Sequence, residues 1–233
     1  GGTFTDFYAA HDETGIHHVY KTSSTPSNPA DAILTGLDAM CDKFGIPKND
    51  IKRVSHGTTV GTNALIQRTG GRVALVTTKG FRDLLEIGRQ TRPHMYDLQK
   101  DYPAPLVDRE YRIELNERIG AAGEIVRAPS AEDIDIAIDA VINAGADACA
   151  IGFVFSFRND EHEQQFANAL RKRAPGIAIS VSSEVQPEFR EYERLSTTVL
   201  NAYLQPVMWH YLETLEAGIA IRAPNASLGI NQS

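Results

Sequence analysis

Between Pro129 and Ser183 the chain passes twice from a helix-period segment to a short apolar run, and this alternation limits its fold more than any other feature. In PSAEDIDIAIDAVINAG, Ile134, Ile138, Val141 and Ile142 fall on one helical face, Ser130 and Asp133 have the spacing of a capping pair, and Gly145 is a stop. DACAIGFVFSF reads as a buried strand, NDEHEQQFANALRKR as a surface helix and GIAISVSS as a second strand. Helices alternating with apolar strands cover a sheet on its faces, so the pattern predicts an α/β domain with a substantially parallel sheet.

The segments upstream are less regular. TFTDFYAAHDETGIHHVYKTSS predicts a hairpin turning at DETG. NPADAILTGLDAMCDKFG predicts a helix with Asn28 as N-cap, Pro29 at its first position, a face of Ile33, Leu34, Leu37, Met40, Cys41 and Phe44, and Gly45 as stop. A short strand, IKRVS, leads into HGTTVGTNALIQRTGG, whose second half is helical; RVALVTT is a buried strand, followed by a helical stretch from Phe81 to Ile87. The segment GRQTRPHMYDLQKDYPAPLV has no clear period, and long loops of this kind are often functional. EYRIELNERI and GEIVRA alternate like a second antiparallel pair. A long amphipathic helix is expected from Pro187 to Pro206, on Phe189, Tyr192, Leu195, Val199, Leu200 and Tyr203. Beyond it LGINQS completes no element, and the chain reads as cut at both ends.

A chain of 233 residues accommodates one large domain or two small ones, and at 42% hydrophobic and 23% charged, with no low-complexity tract, it is a globular chain and not a disordered one. Its formal charge of −7 argues against a nucleic-acid partner, because backbone phosphates are bound by clustered cations. The one basic cluster, Arg171, Lys172 and Arg173, falls at a helix end, where it offsets the helix dipole. Apolar runs fall short of the roughly twenty residues that cross a bilayer, so no membrane is expected. Cys41 and Cys149 lie in apolar patterns and read as small buried hydrophobes, which suits a reducing cytoplasm.

Three stretches have residue types suited to chemistry. Gly1, Gly2 and Thr3 fit a turn whose backbone N–H groups cup an anion, with the Thr3 and Thr5 hydroxyls as further donors and Asp6 as a carboxylate for magnesium; a plain hairpin turn is the competing interpretation. In HGTTVGTNAL a strand running into a helix puts Thr58 or Thr59 at the N-cap, where free N–H groups face an oxyanion or phosphate, and His56 is placed for proton transfer. The alternative is that Thr58 only caps and His56 satisfies a carbonyl. Arg89 and Arg92, with His94 and Asp97 nearby, are candidate forks for a carboxylate or phosphate. Arg190, Glu191, Glu193 and Arg194 are expected to pair along an exposed helical stripe.

Taken in order along nearly the whole chain, GGTFTD, HGTTVGTNAL, ALVTTKGFRDLLEIGRQTRPHMYDL, FSFRNDEHEQ and EVQPEFREYERLSTTVLNAYLQPVM resemble the A-type subunit of the hydantoinase/oxoprolinase family. That family includes ATP-dependent 5-oxoprolinases, N-methylhydantoinases and related subunits of acetone and acetophenone carboxylases. The resemblance implies a ribonuclease H-like fold of the actin, Hsp70 and sugar-kinase superfamily, a mixed sheet with flanking helices. It divides the chain into an N-terminal domain over 1–184 and the start of the following domain over 185–233. It implies ATP and Mg²⁺ as cofactors, with Gly1, Gly2, Thr3 and Thr5 on the phosphates, Asp6 on the metal, His56, Thr58, Thr59 and Asp6 in catalysis, and Arg89 and Arg92 on the substrate. The implied activity is hydrolysis of a cyclic amide after phosphorylation of its carbonyl; ketone carboxylation or a non-catalytic assembly role are the alternatives. A B-type subunit or fused equivalent is the implied partner, and the later nucleotide-binding segments lie past INQS, so this stretch alone is expected to be inactive.

Overall fold

A computed structural model of the chain describes residues 3–25, 28–91, 95–97, 99 and 102–232, arranged as two compact units, one of residues 1–69 with 207–233 and one of residues 70–206. The first unit opens with the expected hairpin. Strand β1 (Phe4–Ala10) pairs antiparallel with β2 (His17–Ser23), from Phe4 opposite Ser23 to Ala10 opposite His17. The turn closes where His11 N–H donates to the Ile16 carbonyl at 2.9 Å and Gly15 takes φ +67°. Strand period places Thr5, Phe7 and Ala9 on the half-buried face and Phe4, Asp6, Tyr8 and Ala10 on the exposed one.

Helix α1 (Pro29–Phe44) lies against the hairpin and buries Ile33, Leu34, Leu37, Met40 and Cys41. Pro29 starts it and Gly45, at φ +66°, stops it, as expected; Asn28 occupies the N-cap without a side-chain bond, and Thr25 Oγ1 instead accepts from Ala32 N–H at 3.1 Å. Close contact with the hairpin requires Gly36, since a Cβ there would come within 2.3 Å of the Phe7 ring. Strand β3 (Arg53–Thr58) is longer than IKRVS suggested and runs directly into α2 (Val60–Gln67).

The second unit is built on a four-stranded sheet. Its strands are β4 (Val73–Thr78), then, past the single turn α3 (Leu84–Ile87), β5 (Arg112–Leu115). The short pair β6 (Arg118–Ile119) and β7 (Ile125–Arg127) follows, then α4 (Ala131–Asn143), β8 (Ala148–Gly152), α5 (Glu161–Arg173), β9 (Ala178–Val181) and the turn α6 (Ser182–Val185). The order β5-β4-β8-β9 is parallel throughout, and β4 and β8 are buried along their whole length. The α4 capping box forms as its sequence predicts, with Asp133 N–H donating to Ser130 Oγ at 3.0 Å.

Several expectations change here. The helical stretch expected over Phe81–Ile87 keeps only its last turn as α-helix. Only the tail of EYRIELNERI joins the antiparallel pair; β5 instead lies parallel to β4, since the long segment between them allows a crossover. Helix α5 is not a surface helix on all sides, for it buries His162, Glu163, Phe166, Ala167 and Leu170 while Arg173 pairs outside with Asp135 and Asp139.

The last helix, α7 (Glu191–Arg222), starts later than Pro187, because Arg190 takes φ +78°, outside helical space. It also continues through Pro206, which removes one backbone donor; buried Ala202 and Tyr203 before it and Tyr211, Leu215 and Ile219 after it hold the helix in place. The segment after it does complete an element, since β10 (Ser227–Gln232) pairs parallel with β3.

Arg194 does not lie on an exposed stripe. Arg194, Thr198 and Ala202, at i, i+4 and i+8, are all fully buried, so the arginine is on the packed face of α7. Its guanidinium donates to Ser182 Oγ at 3.1 Å, the Glu188 carbonyl at 2.9 Å, the Phe153 carbonyl at 2.8 Å and Glu191 Oε1 at 3.3 Å. Ser182 Oγ in turn donates to buried Glu163 at 2.6 Å, and Glu163 also accepts from the N–H groups of Phe153 at 2.9 Å and Ser183 at 3.0 Å. Truncating one member of such a network strands the others without partners. Arg194→Ala is therefore expected to lower unfolding stability by about 3–5 kcal/mol, read as a fall in the urea midpoint; an unchanged midpoint contradicts the role given to the network.

Candidate functional site

Chemistry-bearing groups come together where β3 passes into α2. Along β3, Val54, His56 and Thr58 share the half-buried face while Arg53, Ser55 and Gly57 face outward. Thr59 is the N-cap by position but makes no side-chain cap bond; Thr58 Oγ1 instead accepts the Val60 N–H at 3.1 Å. The strand-to-helix turn thus has its first helical N–H groups at the end of β3, the arrangement that favours an anion. Strand β10 runs alongside, with Ile230 opposite His56, Asn231 opposite Gly57 and Gln232 opposite Thr58.

His56 and Thr58 meet a residue that sequence reasoning missed. The Tyr211 hydroxyl is hydrogen-bonded to His56 Nε2, with the two rings tilted at 54° and 6.0 Å between centroids, and Thr58 is hydrogen-bonded to the same hydroxyl. Tyr211 is 4% exposed. Burial lowers the His56 pKa from the ordinary histidine value, so the imidazole is neutral at physiological pH, and burial raises the Tyr211 pKa. The signal for Tyr211 was present: the i, i+4, i+8 series Tyr211, Leu215, Ile219 continues the apolar face of α7 beyond the proline taken as its end.

In the hairpin, Gly1 and Gly2 lie outside the described residues. Thr3 is exposed and its carbonyl accepts from Ser24 N–H at 3.0 Å, while Thr5 Oγ1 is 3.0 Å from Ser24 Oγ. The Thr5 and Ser24 hydroxyls therefore meet at this end of the hairpin beside the Thr3 backbone, and hydroxyls are donors that fit phosphate. Asp6 is on the opposite face of β1, 3.4 Å from Lys21 Nζ, and both side chains are exposed. Among the described residues no three acidic, histidine or cysteine side chains converge as a metal site. The hydroxyls and the carboxylate thus serve different sides of one strand.

The structure does not leave Arg89 as an open fork. Its Nε donates to Glu193 Oε1 at 2.6 Å, which holds the Glu193 carboxyl below its usual pKa. Arg92 and His94 lie outside the described residues, and Asp97 accepts from Gln99 N–H at 3.0 Å. Cys41 and Cys149 are buried free thiols, as their patterns implied. No described helix is long and apolar enough to cross a membrane.

Comparison with known proteins shows what the chain is similar to. Residues 1–174 match the family described as the hydantoinase/oxoprolinase N-terminal region. The chain is 40% identical to caprolactamase subunit alpha of Pseudomonas jessenii over 93% of its own length and 32% of that protein. It is 33% identical to the acetophenone carboxylase gamma subunit of Aromatoleum aromaticum, over 89% of its length and 30% of that subunit. The crystal structure of the ATP-dependent caprolactamase from Pseudomonas jessenii superposes with a TM-score of 0.87 at 37% identity, covering 100% of this chain and 34% of that one. The chain thus spans about a third of the length of these relatives. Its fold is that of the N-terminal region of this caprolactamase, an α/β fold of actin/Hsp70-like ATPase type, as the sequence resemblance implied.

With His56 kept neutral by burial, its NMR titration is expected to have a midpoint below about 6.5. The unfolded chain takes up that proton first, so stability is full above the ordinary histidine pKa and is lost as pH falls through it. A midpoint above 6.5 contradicts the burial described.

Proposed function

The chain belongs to the hydantoinase/oxoprolinase family, and from that premise we propose that it is the ATP-binding N-terminal part of an ATP-dependent cyclic-amide hydrolase. The observation that carries the proposal is the turn from β3 into α2, where His56, Thr58 and the first N–H groups of the helix lie within a few residues of each other. An amide carbon is a poor electrophile. ATP, when bound, supplies the phosphoryl group that converts the amide oxygen into a leaving group. The chain's part is to position and to stabilise charge.

In this proposal Gly1, Gly2, Thr3 and Thr5 hold the phosphates. Thr58, Thr59 and the α2 N-terminus face the carbonyl or phosphate oxygen, and His56 handles a proton. Magnesium accompanies ATP, and Asp6 is the carboxylate offered to it; the Lys21 pair is solvent-exposed and exchangeable. Arg89 and Arg92 are assigned to a substrate carboxylate, with Arg89 presented from its anchor on Glu193. Residues 185–233 are assigned to the start of the following domain. A B-type subunit is the proposed partner, supported by relatives that are themselves named as subunits, and the cytoplasm the proposed compartment.

The test is ATP turnover by the longer enzyme that contains this chain. Release of ADP dependent on 5-oxoproline, a hydantoin or a simple lactam is the expected result. The similarity to a carboxylase subunit supplies the competing outcome: turnover only with a ketone and bicarbonate replaces the hydrolase assignment. Within that enzyme, His56→Ala and Thr58→Ala are each expected to lower kcat by about 10²-fold or more, with ATP affinity much less affected. Wild-type rates in both variants exclude a role for the turn.

A further inference from the structure

We propose that Tyr211 is a positioning residue that fixes the tautomer of His56, so that the proton His56 handles is held on Nδ1 as a hydrogen-bond donor. The proposal deepens the assignment of the β3–α2 turn and rests on it for its catalytic meaning. Hydrogen bonds at this turn have a direction. Val60 N–H can only donate, and it donates to Thr58 Oγ1 at 3.1 Å. In the pair formed by Tyr211 and His56, the phenol is the stronger acid and the neutral imidazole the stronger base. Tyr211 therefore directs its single proton at His56 Nε2.

The neutral imidazole that accepts at Nε2 has its proton on Nδ1. Among the described residues Nδ1 makes no hydrogen bond, and an incoming oxygen is the partner this proposal gives its proton. The Tyr211 hydroxyl thus gives its proton to His56, and the pair ends in an N–H. A neutral N–H donor at such a turn stabilises charge developing on a carbonyl or phosphate oxygen. Burial of the imidazole acts in the same sense, by disfavouring the cation.

The experiment is ¹⁵N NMR of the His56 ring, first in this unsubstituted chain at a pH where the ring is neutral. The expected spectrum has Nδ1 protonated and Nε2 unprotonated. A spectrum with the proton on Nε2 overturns the proposal outright, with no variant needed. In Tyr211→Phe, which removes only the hydroxyl, the ring is expected to move toward the Nε2–H form; an unchanged tautomer also overturns it. In the longer enzyme the same variant is expected to reduce kcat at least tenfold while leaving the KM for ATP within about twofold. Unchanged kcat despite a changed tautomer overturns the positioning role. The assignment of the turn fails separately, through His56→Ala retaining wild-type turnover, while the tautomer is still measured directly by NMR.

Discussion

The second unit depends on a guanidinium with no access to water. Desolvating Arg194 is affordable only because every side of it meets an acceptor: the Phe153 carbonyl just past β8, Ser182 just past β9, and the Glu188 carbonyl and Glu191 side chain at the approach to α7. These groups come from three separate stretches of sequence. One planar ion with donors in fixed directions thereby sets where two strands end relative to the start of a helix, a specificity that apolar packing alone does not supply. Glu163 completes the arrangement from α5, accepting from two backbone N–H groups in the same region.

A second buried polar group lies beside the first. Glu117 accepts from Thr78 at the end of β4 and from His162 Nδ1 at 2.7 Å, and burial raises its pKa above the ordinary glutamate value. Thr78 Oγ1 also accepts the Val154 N–H at 3.0 Å. The carboxyl ends of β4 and β8 are thus tied by side chains beyond the reach of their ladder. In an open parallel sheet this is where loops diverge and where backbone groups most need partners.

Much of this fold was legible in the residues. The helix from Pro29 to Gly45, the capping box at Ser130, the hairpin closing at Gly15 and the apolar strands β4 and β8 follow from local chemistry, and the structure has them as read. What failed were inferences that required a partner from elsewhere. Arg194 looked like a surface charge because two of its acceptors are backbone carbonyls, which no side-chain pattern records. Proline 206 looked like a stop because helix packing, not propensity, decides whether a missing donor matters. At the candidate site the turn itself could be read, whereas Tyr211, 155 residues from His56, was hidden behind that proline.

The path of the chain also has a consequence for how the molecule is made. The first unit takes residues 1–69 and 207–233, and the second is inserted between them as the continuous stretch 70–206. During synthesis the hairpin, α1 and β3 emerge first but lack Tyr211, Leu215, Ile219 and the whole of β10, which complete their core and pair with β3. The inserted unit has no such wait, since its sheet and helices arrive in one run. On the ribosome, folding by units places the middle of this sequence ahead of its beginning. The His56 turn waits for Tyr211, so the candidate site forms only after the whole inserted unit has left the exit tunnel.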